Sequence, residues 1–317
     1  MKKFIMFLAA LVVITGVFMG CGSGGDSKYT VVCTIFPQYD WVKEIAAGSD
    51  VEIVVLSDSG VDLHNYQPTV KDVAAISTCD MFIYVGGPSD SWADDVLKDR
   101  RNKNMRIINL FEVLGDKIKE EEEIEGPEGD HDHEHEEIEY DEHVWLSVKN
   151  AKYISRKIAD EMCVMDAENT SLYEKNYTGY AEKLDELDGK FAAAVQSGVH
   201  KTLLFADRFP FRYFTDDYGL DYFAAFPGCS AESNASFETI IFLAGKVDEL
   251  ELKYVIALEG SDGKIAQSVI ANTGTHDQSV LRLDSLQSVS KSDIKAGATY
   301  ISIMEKNLKT VETALGE

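Results

Sequence analysis

Short runs rich in β-branched and aromatic residues alternate with helical patterns twice along this chain, and no proline occurs from 128 to 209 between the two series. The first series of strand-like runs covers 30–36, 51–56, 81–85 and 106–110, with helical patterns at 41–47 and 70–77. The second covers 202–205, 220–225, 254–258 and 280–283, with a helical pattern at 237–250. Strands alternating with helices predict parallel pairing, because a parallel neighbour needs a crossover connection. In the middle stretch, Asn169 and Thr170 offer a helix start. Tyr173, Tyr177, Tyr180, Leu184, Leu187 and Phe191 then recur at helical spacing and share one face. Gly179 and Gly189 weaken that helix by about 1 kcal/mol each relative to alanine. The expected fold class is therefore α/β: two lobes, each with a mainly parallel sheet, joined by one long rigid helix. The expected boundaries are 29–148 for the first lobe, 149–199 for the linking helical region and 200–317 for the second lobe.

The first 28 residues do not belong to either lobe. Lys2 and Lys3 precede an apolar run over 4–19, which is shorter than the roughly 20 residues a spanning helix needs. A charged start, a short apolar core and a small residue before the cut form an export signal, here 1–20. Phe18-Met19-Gly20-Cys21 resembles a bacterial lipobox. That resemblance implies cleavage before Cys21 and a diacylglyceryl thioether on it, holding the protein at the membrane without spanning it. The Gly- and Ser-rich stretch 21–28 reads as a flexible tether.

Charge narrows the function classes. The formal net charge is −25, and residues 120–142 contribute 14 acidic side chains with no Lys or Arg. Nucleic-acid binding requires a basic footprint and is excluded on this balance; attraction of cations is favoured. Within an acidic loop spanning 117–139, His131, His133 and His135 alternate with Asp132 and Glu134. Such a composition cannot bury enough apolar surface to order itself, and its imidazoles and carboxylates offer transient metal ligands. This loop is expected to be a disordered auxiliary metal site. The other cysteines, Cys33, Cys79, Cys163 and Cys229, include no Cys-x-x-Cys pair and are read as free, mostly buried thiols.

Several motifs occur in a fixed order: Thr34-Ile35-Phe36-Pro37, then Gly60-Val61-Asp62-Leu63-His64-Asn65-Tyr66-Gln67-Pro68-Thr69, then Met81-Phe82-Ile83-Tyr84-Val85-Gly86. The acidic His tract, Tyr140-Asp141-Glu142-His143-Val144-Trp145-Leu146 and Tyr213-Phe214 follow. Together they resemble the metal-binding solute receptors of ABC importers, the ZnuA-like zinc and manganese family, over nearly the whole chain past residue 28. The resemblance implies a metal cleft between the lobes. It implies His64 as one ligand, although Leu63 stands where the family has proline, and His143 as a second, although Glu142 replaces a proline. It implies Asp284, after the last strand, as an oxygen ligand. At the remaining family position stands Arg208, whose guanidinium cannot ligate a cation. Asp207 is the nearest substitute, with Glu259 or water as alternatives.

The resemblance further implies zinc as the transported ligand, with manganese as the alternative. It implies delivery to the transmembrane subunit of an ABC permease served by a cytoplasmic ATPase, from the outer face of the cytoplasmic membrane, by a monomer. A zinc-dependent surface hydrolase and a metal-buffering adhesin are the competing classes. The hydrolase is disfavoured because neither His-Glu-x-x-His nor Gly-x-Ser-x-Gly occurs. His200, His276 and Glu232 are expected to lie outside the ligand set, and Trp145 is expected to be a packing residue that fixes the neighbouring ligand loop.

Overall fold

A computed structural model describes residues 29–56, 63–121, 126, 139–230 and 234–316. The expected signal, Cys21, the tether, His131, His133, His135 and Glu232 lie outside these residues. In the first half the elements are β1 (Tyr29–Cys33), α1 (Phe36–Ile45), β2 (Val51–Val55), α2 (Val70–Thr78), β3 (Met81–Tyr84), α3 (Trp92–Lys98), β4 (Arg106–Asn109) and α4 (Leu110–Leu114). The middle holds α5 (Val148–Met165) and α6 (Thr170–Ser197). In the second half follow β5 (Thr202–Phe209), α7 (Arg212–Tyr218), β6 (Asp221–Pro227), α8 (Phe237–Glu249), β7 (Tyr254–Leu258), α9 (Lys264–Ala271), β8 (Ser279–Leu283), α10 (Lys291–Lys295) and α11 (Tyr300–Leu315).

Each half forms a four-stranded sheet, ordered β2-β1-β3-β4 and β6-β5-β7-β8. Every pairing in both sheets is parallel. The two α/β lobes of the sequence reading are thus present, with shifted element ends. The run at 30–36 leaves the sheet at Cys33, because the Gln38 side-chain oxygen accepts bonds from the Thr34 and Ile35 amides and the Thr34 hydroxyl. That bond set turns the chain into α1, with Pro37 in its first turn, where a missing N–H costs nothing.

The middle region holds the expected long helix, α6, with α5 packed beside it. The 28-residue α6, about 42 Å long at 1.5 Å per residue, packs along α5 after a turn at Ala167–Asn169. Asn169 precedes α6 as expected but makes no cap bond; its amide instead donates to Asp166. Tyr173, Tyr180, Leu184, Leu187 and Phe191 are buried along α6 as the spacing required, while Tyr177 is half-buried beneath Arg156. The largest buried cluster runs through both lobes, from Trp41 through Trp145, Tyr180 and Phe191 to Phe214 and Tyr300. Separate apolar clusters cover the outer face of each sheet.

The lobes are also stitched by directional bonds. The Trp145 indole donates to the Ser285 carbonyl, and the Tyr300 hydroxyl donates to the Trp145 carbonyl. Tyr213 Oη donates to the Asp141 carbonyl and accepts from the Lys119 amide. These contacts hold the 139–147 segment, which lies between the sheets. No helix among the described residues is long and apolar enough to cross a membrane.

Candidate metal centre

Two segments from the first lobe and one from the second meet where strands end and loops begin, the usual place for a site in an open parallel sheet. His64 lies in a short 3-10 turn, Leu63–Asn65, that follows β2 in the chain. His143 directly precedes another, Val144–Leu146, that leads into α5. Cys229 sits in the turn after β6. One ring nitrogen of each histidine and the Cys229 sulfur all lie within 4.8 Å of one another.

The hydrogen bonds around the two imidazoles determine their tautomers. His143 Nδ1 is 3.0 Å from Asp141 Oδ1, which also accepts the His143 amide. A carboxylate only accepts, so Nδ1 carries the proton. The Ser89 hydroxyl donates to Glu142 Oε2 at 2.5 Å, and Ser89 Oγ is 2.8 Å from His64 Nδ1. With its hydrogen committed to Glu142, Ser89 must accept from His64, and Glu142 Oε2 itself lies 3.1 Å from the same nitrogen. In their neutral forms both histidines therefore carry the proton on Nδ1. Their Nε2 atoms face each other at 3.3 Å. Two neutral rings in this state present lone pair to lone pair, an arrangement that a cation between them relieves.

That separation suits a metal. Two nitrogens about 2.0–2.1 Å from one tetrahedral zinc are about 3.3 Å apart. The partners behind the two imidazoles are also those a metal site needs, since a carboxylate behind each imidazole fixes the ring and raises its basicity. His143 is fully buried and stacks edge-on against Trp145 at 5.3 Å, so Trp145 is a packing residue beside it, as expected.

The surroundings are strongly acidic. Glu142 is buried yet held below the usual carboxylate range by its bonds to His64 and Ser89, which outweigh desolvation. Burial, with the nearby charges of Glu121, Asp141 and Glu142, pushes the Cys229 thiol far above its ordinary value. Burial likewise raises Asp90 to about 7, with Glu142 adding to the effect. A cavity of about 670 Å³ opens beside the pair, lined by His64, Ser89, Glu139, Glu142 and Cys229. The acidic loop departs and returns at this cavity, because Glu120 and Tyr140 form a bridge and the Glu121 amide donates to the Glu139 carbonyl.

Of the four expected ligands, the structure brings His64 and His143 together and leaves Asp207 and Asp284 out of their group. Asp207 lies in β5 where the register with β6 slips between Phe205 and Arg208. Its carboxylate accepts from the Leu258 and Arg208 amides, so it completes the sheet rather than facing the histidines. With Arg208 and Glu259 it lines a different cavity, of about 640 Å³. Asp284 accepts from the Leu286 amide and lines a third cavity with Glu259, whose charge adds to the burial that raises Asp284 to about 6. Glu259 is itself bonded to the Ser285 amide and hydroxyl. His200 and His276 also lie outside the group.

Sequence reasoning missed the roles of Ser89, Glu121 and Glu142 and the nearness of Cys229. The one available signal was Glu142, a carboxylate immediately before His143. Cys229 carries none, because its approach depends on how β6 of the second lobe meets the first.

The family model described as "Zinc-uptake complex component A periplasmic" matches residues 31–314. The zinc-binding lipoprotein AdcA of Streptococcus pneumoniae is 30% identical over 98% of this chain, and the chain spans only 61% of that relative's length. The high-affinity zinc uptake system protein ZnuA of Bacillus subtilis is 28% identical over 92% of the chain and 89% of its own length. Among solved structures, the Zn(II)-bound ZnuA-like domain of the pneumococcal AdcA superposes with a TM-score of 0.72 at 28% identity, covering 92% of this chain and all of that domain.

Proposed function

Because the chain belongs to the ZnuA family of periplasmic zinc-uptake components, we propose that it is an extracytoplasmic receptor that binds zinc at His64 and His143 and hands it to an ABC-type import permease. The observation that carries this reading is the opposed pair of Nε2 atoms at 3.3 Å, each ring committed through Nδ1 to an acceptor. Nitrogen donors favour zinc over manganese, which prefers oxygen. The protein performs no catalysis in this reading; the ion is cargo, and the acidic cavity beside the pair draws it in. His131, His133 and His135 act as a weaker capture site, because a tract of such acidic, apolar-poor composition has little burial to offset the entropy lost with every ligand it immobilises. Its ends meet at the cavity of the histidine pair, which supports delivery from tract to site. Cys21 carries the lipid that keeps the receptor, as a monomer, beside the permease and its ATPase.

Calorimetric zinc titration tests the reading. His64→Ala and His143→Ala are each expected to weaken the tight site by at least tenfold, on the order of 1.4 kcal/mol. Removing 122–138 is expected to leave that site intact and to bring the stoichiometry towards one. Unchanged affinity in both histidine variants would sink the assignment.

A further inference from the structure

The turn after β6 is built to bring sulfur to the histidine pair. At Gly228 an added Cβ would lie 2.7 Å from the Phe209 carbonyl oxygen and 3.3 Å from His143 Cε1. Only glycine lets the chain pass this close to the Phe209 carbonyl, and a Cβ there would also crowd the imidazole. The next residue, Cys229, is fixed by its amide, which donates to Glu121 Oε1 at 3.0 Å. Its half-buried sulfur is thereby held within 4.8 Å of a ring nitrogen of each histidine. In a tetrahedral zinc site with Zn–N of about 2.0–2.1 Å and Zn–S of about 2.3 Å, nitrogen and sulfur ligands are about 3.6 Å apart. The Nε2 atoms already stand at the spacing such a site needs, and the sulfur, within 4.8 Å, completes it by an approach of no more than about 1.2 Å.

We propose that Cys229 is the third protein ligand of the cation held by His64 and His143, making a two-histidine, one-thiolate site with one further position open. The proposal rests on the reading of the histidine pair as the metal-binding centre. On binding, the sulfur–proton bond is replaced by a sulfur–metal bond and the proton passes to water. A soft thiolate selects zinc and rejects manganese, so Cys229 sets the specificity of the receptor.

Cobalt(II) titration of the full-length chain under reducing conditions tests this. Binding is expected to produce a thiolate-to-cobalt charge-transfer absorption. Cys229→Ser should abolish that absorption, and Cys163→Ser should retain it. Zinc affinity should fall on the order of tenfold or more in Cys229→Ser. Cys229→His should restore affinity without the absorption. Cobalt bound with no charge-transfer band, a band that survives Cys229→Ser, or unchanged zinc affinity in that variant would remove Cys229 and leave the histidine pair standing. Metal binding untouched by His64→Ala and His143→Ala would overturn both readings together.

Discussion

At the residue scale, Glu142 is the most instructive departure from the family pattern. A proline at this position offers no side-chain acceptor; the glutamate reaches back to Ser89 and His64. Its carboxylate holds the Ser89 hydroxyl as an acceptor for His64 and so keeps the His64 Nε2 lone pair turned towards His143. Glu142→Gln keeps the volume but removes the charge and one acceptor. Zinc affinity is expected to fall roughly 10- to 100-fold, the usual cost of losing a partner behind a ligand. Calorimetry with the variant and the parent chain checks this, and an effect below twofold would show that Ser89 alone orients His64.

At the scale of elements, the histidine-bearing turns at 64 and 143 and the turn after β6 meet beside the two sheets, while α6 supplies the strut between the lobes. Gly179 and Gly189 lie inside that helix, and a Cβ at either position meets nothing within 4 Å. Neither glycine is there for close packing, so its helical cost is unrecovered. Gly179→Ala and Gly189→Ala are each expected to stabilise the protein by roughly 0.5–1 kcal/mol. Urea unfolding would read this as a higher midpoint with an unchanged slope, and zinc affinity should not move. Destabilisation by either alanine would mean that α6 needs those glycines in a way its surroundings do not reveal.

At the scale of the whole molecule, a buried acid ties the first lobe to the last helix. Asp40 on α1 is 1% exposed and accepts the Tyr300 amide at the start of α11. Burial raises its carboxyl from 3.8 to about 6, against the lowering effect of that amide. The folded state thus binds this proton more tightly than the unfolded chain does. Its contribution to stability is fully present below about pH 3.8 and is lost as pH rises through about 6. The loss is on the order of 3 kcal/mol. Asp40→Asn keeps an acceptor for Tyr300 and removes the charge, so the variant should gain on the parent between pH 4.5 and 7.5. Denaturant midpoints at the two pH values measure this; an equal pH response in both proteins would contradict it.

The sequence by itself determined the two α/β lobes, the parallel strands and the helical middle, and it singled out the histidines at 64 and 143, whose rings the structure brings together. Each of these rests on local periodicity or on a motif of a few neighbouring residues. It did not determine which other side chains lie beside that pair. Asp207 reads as an available carboxylate, but the register slip in β5 turns it onto the Leu258 amide, a residue of another strand. Cys229 reads as an ordinary buried thiol, but the packing of the second lobe's β6 turn on His143 brings its sulfur beside the two histidines. Which side chains meet across a cleft depends on backbone paths far apart in the chain, and those paths are settled by the buried cluster that both lobes share.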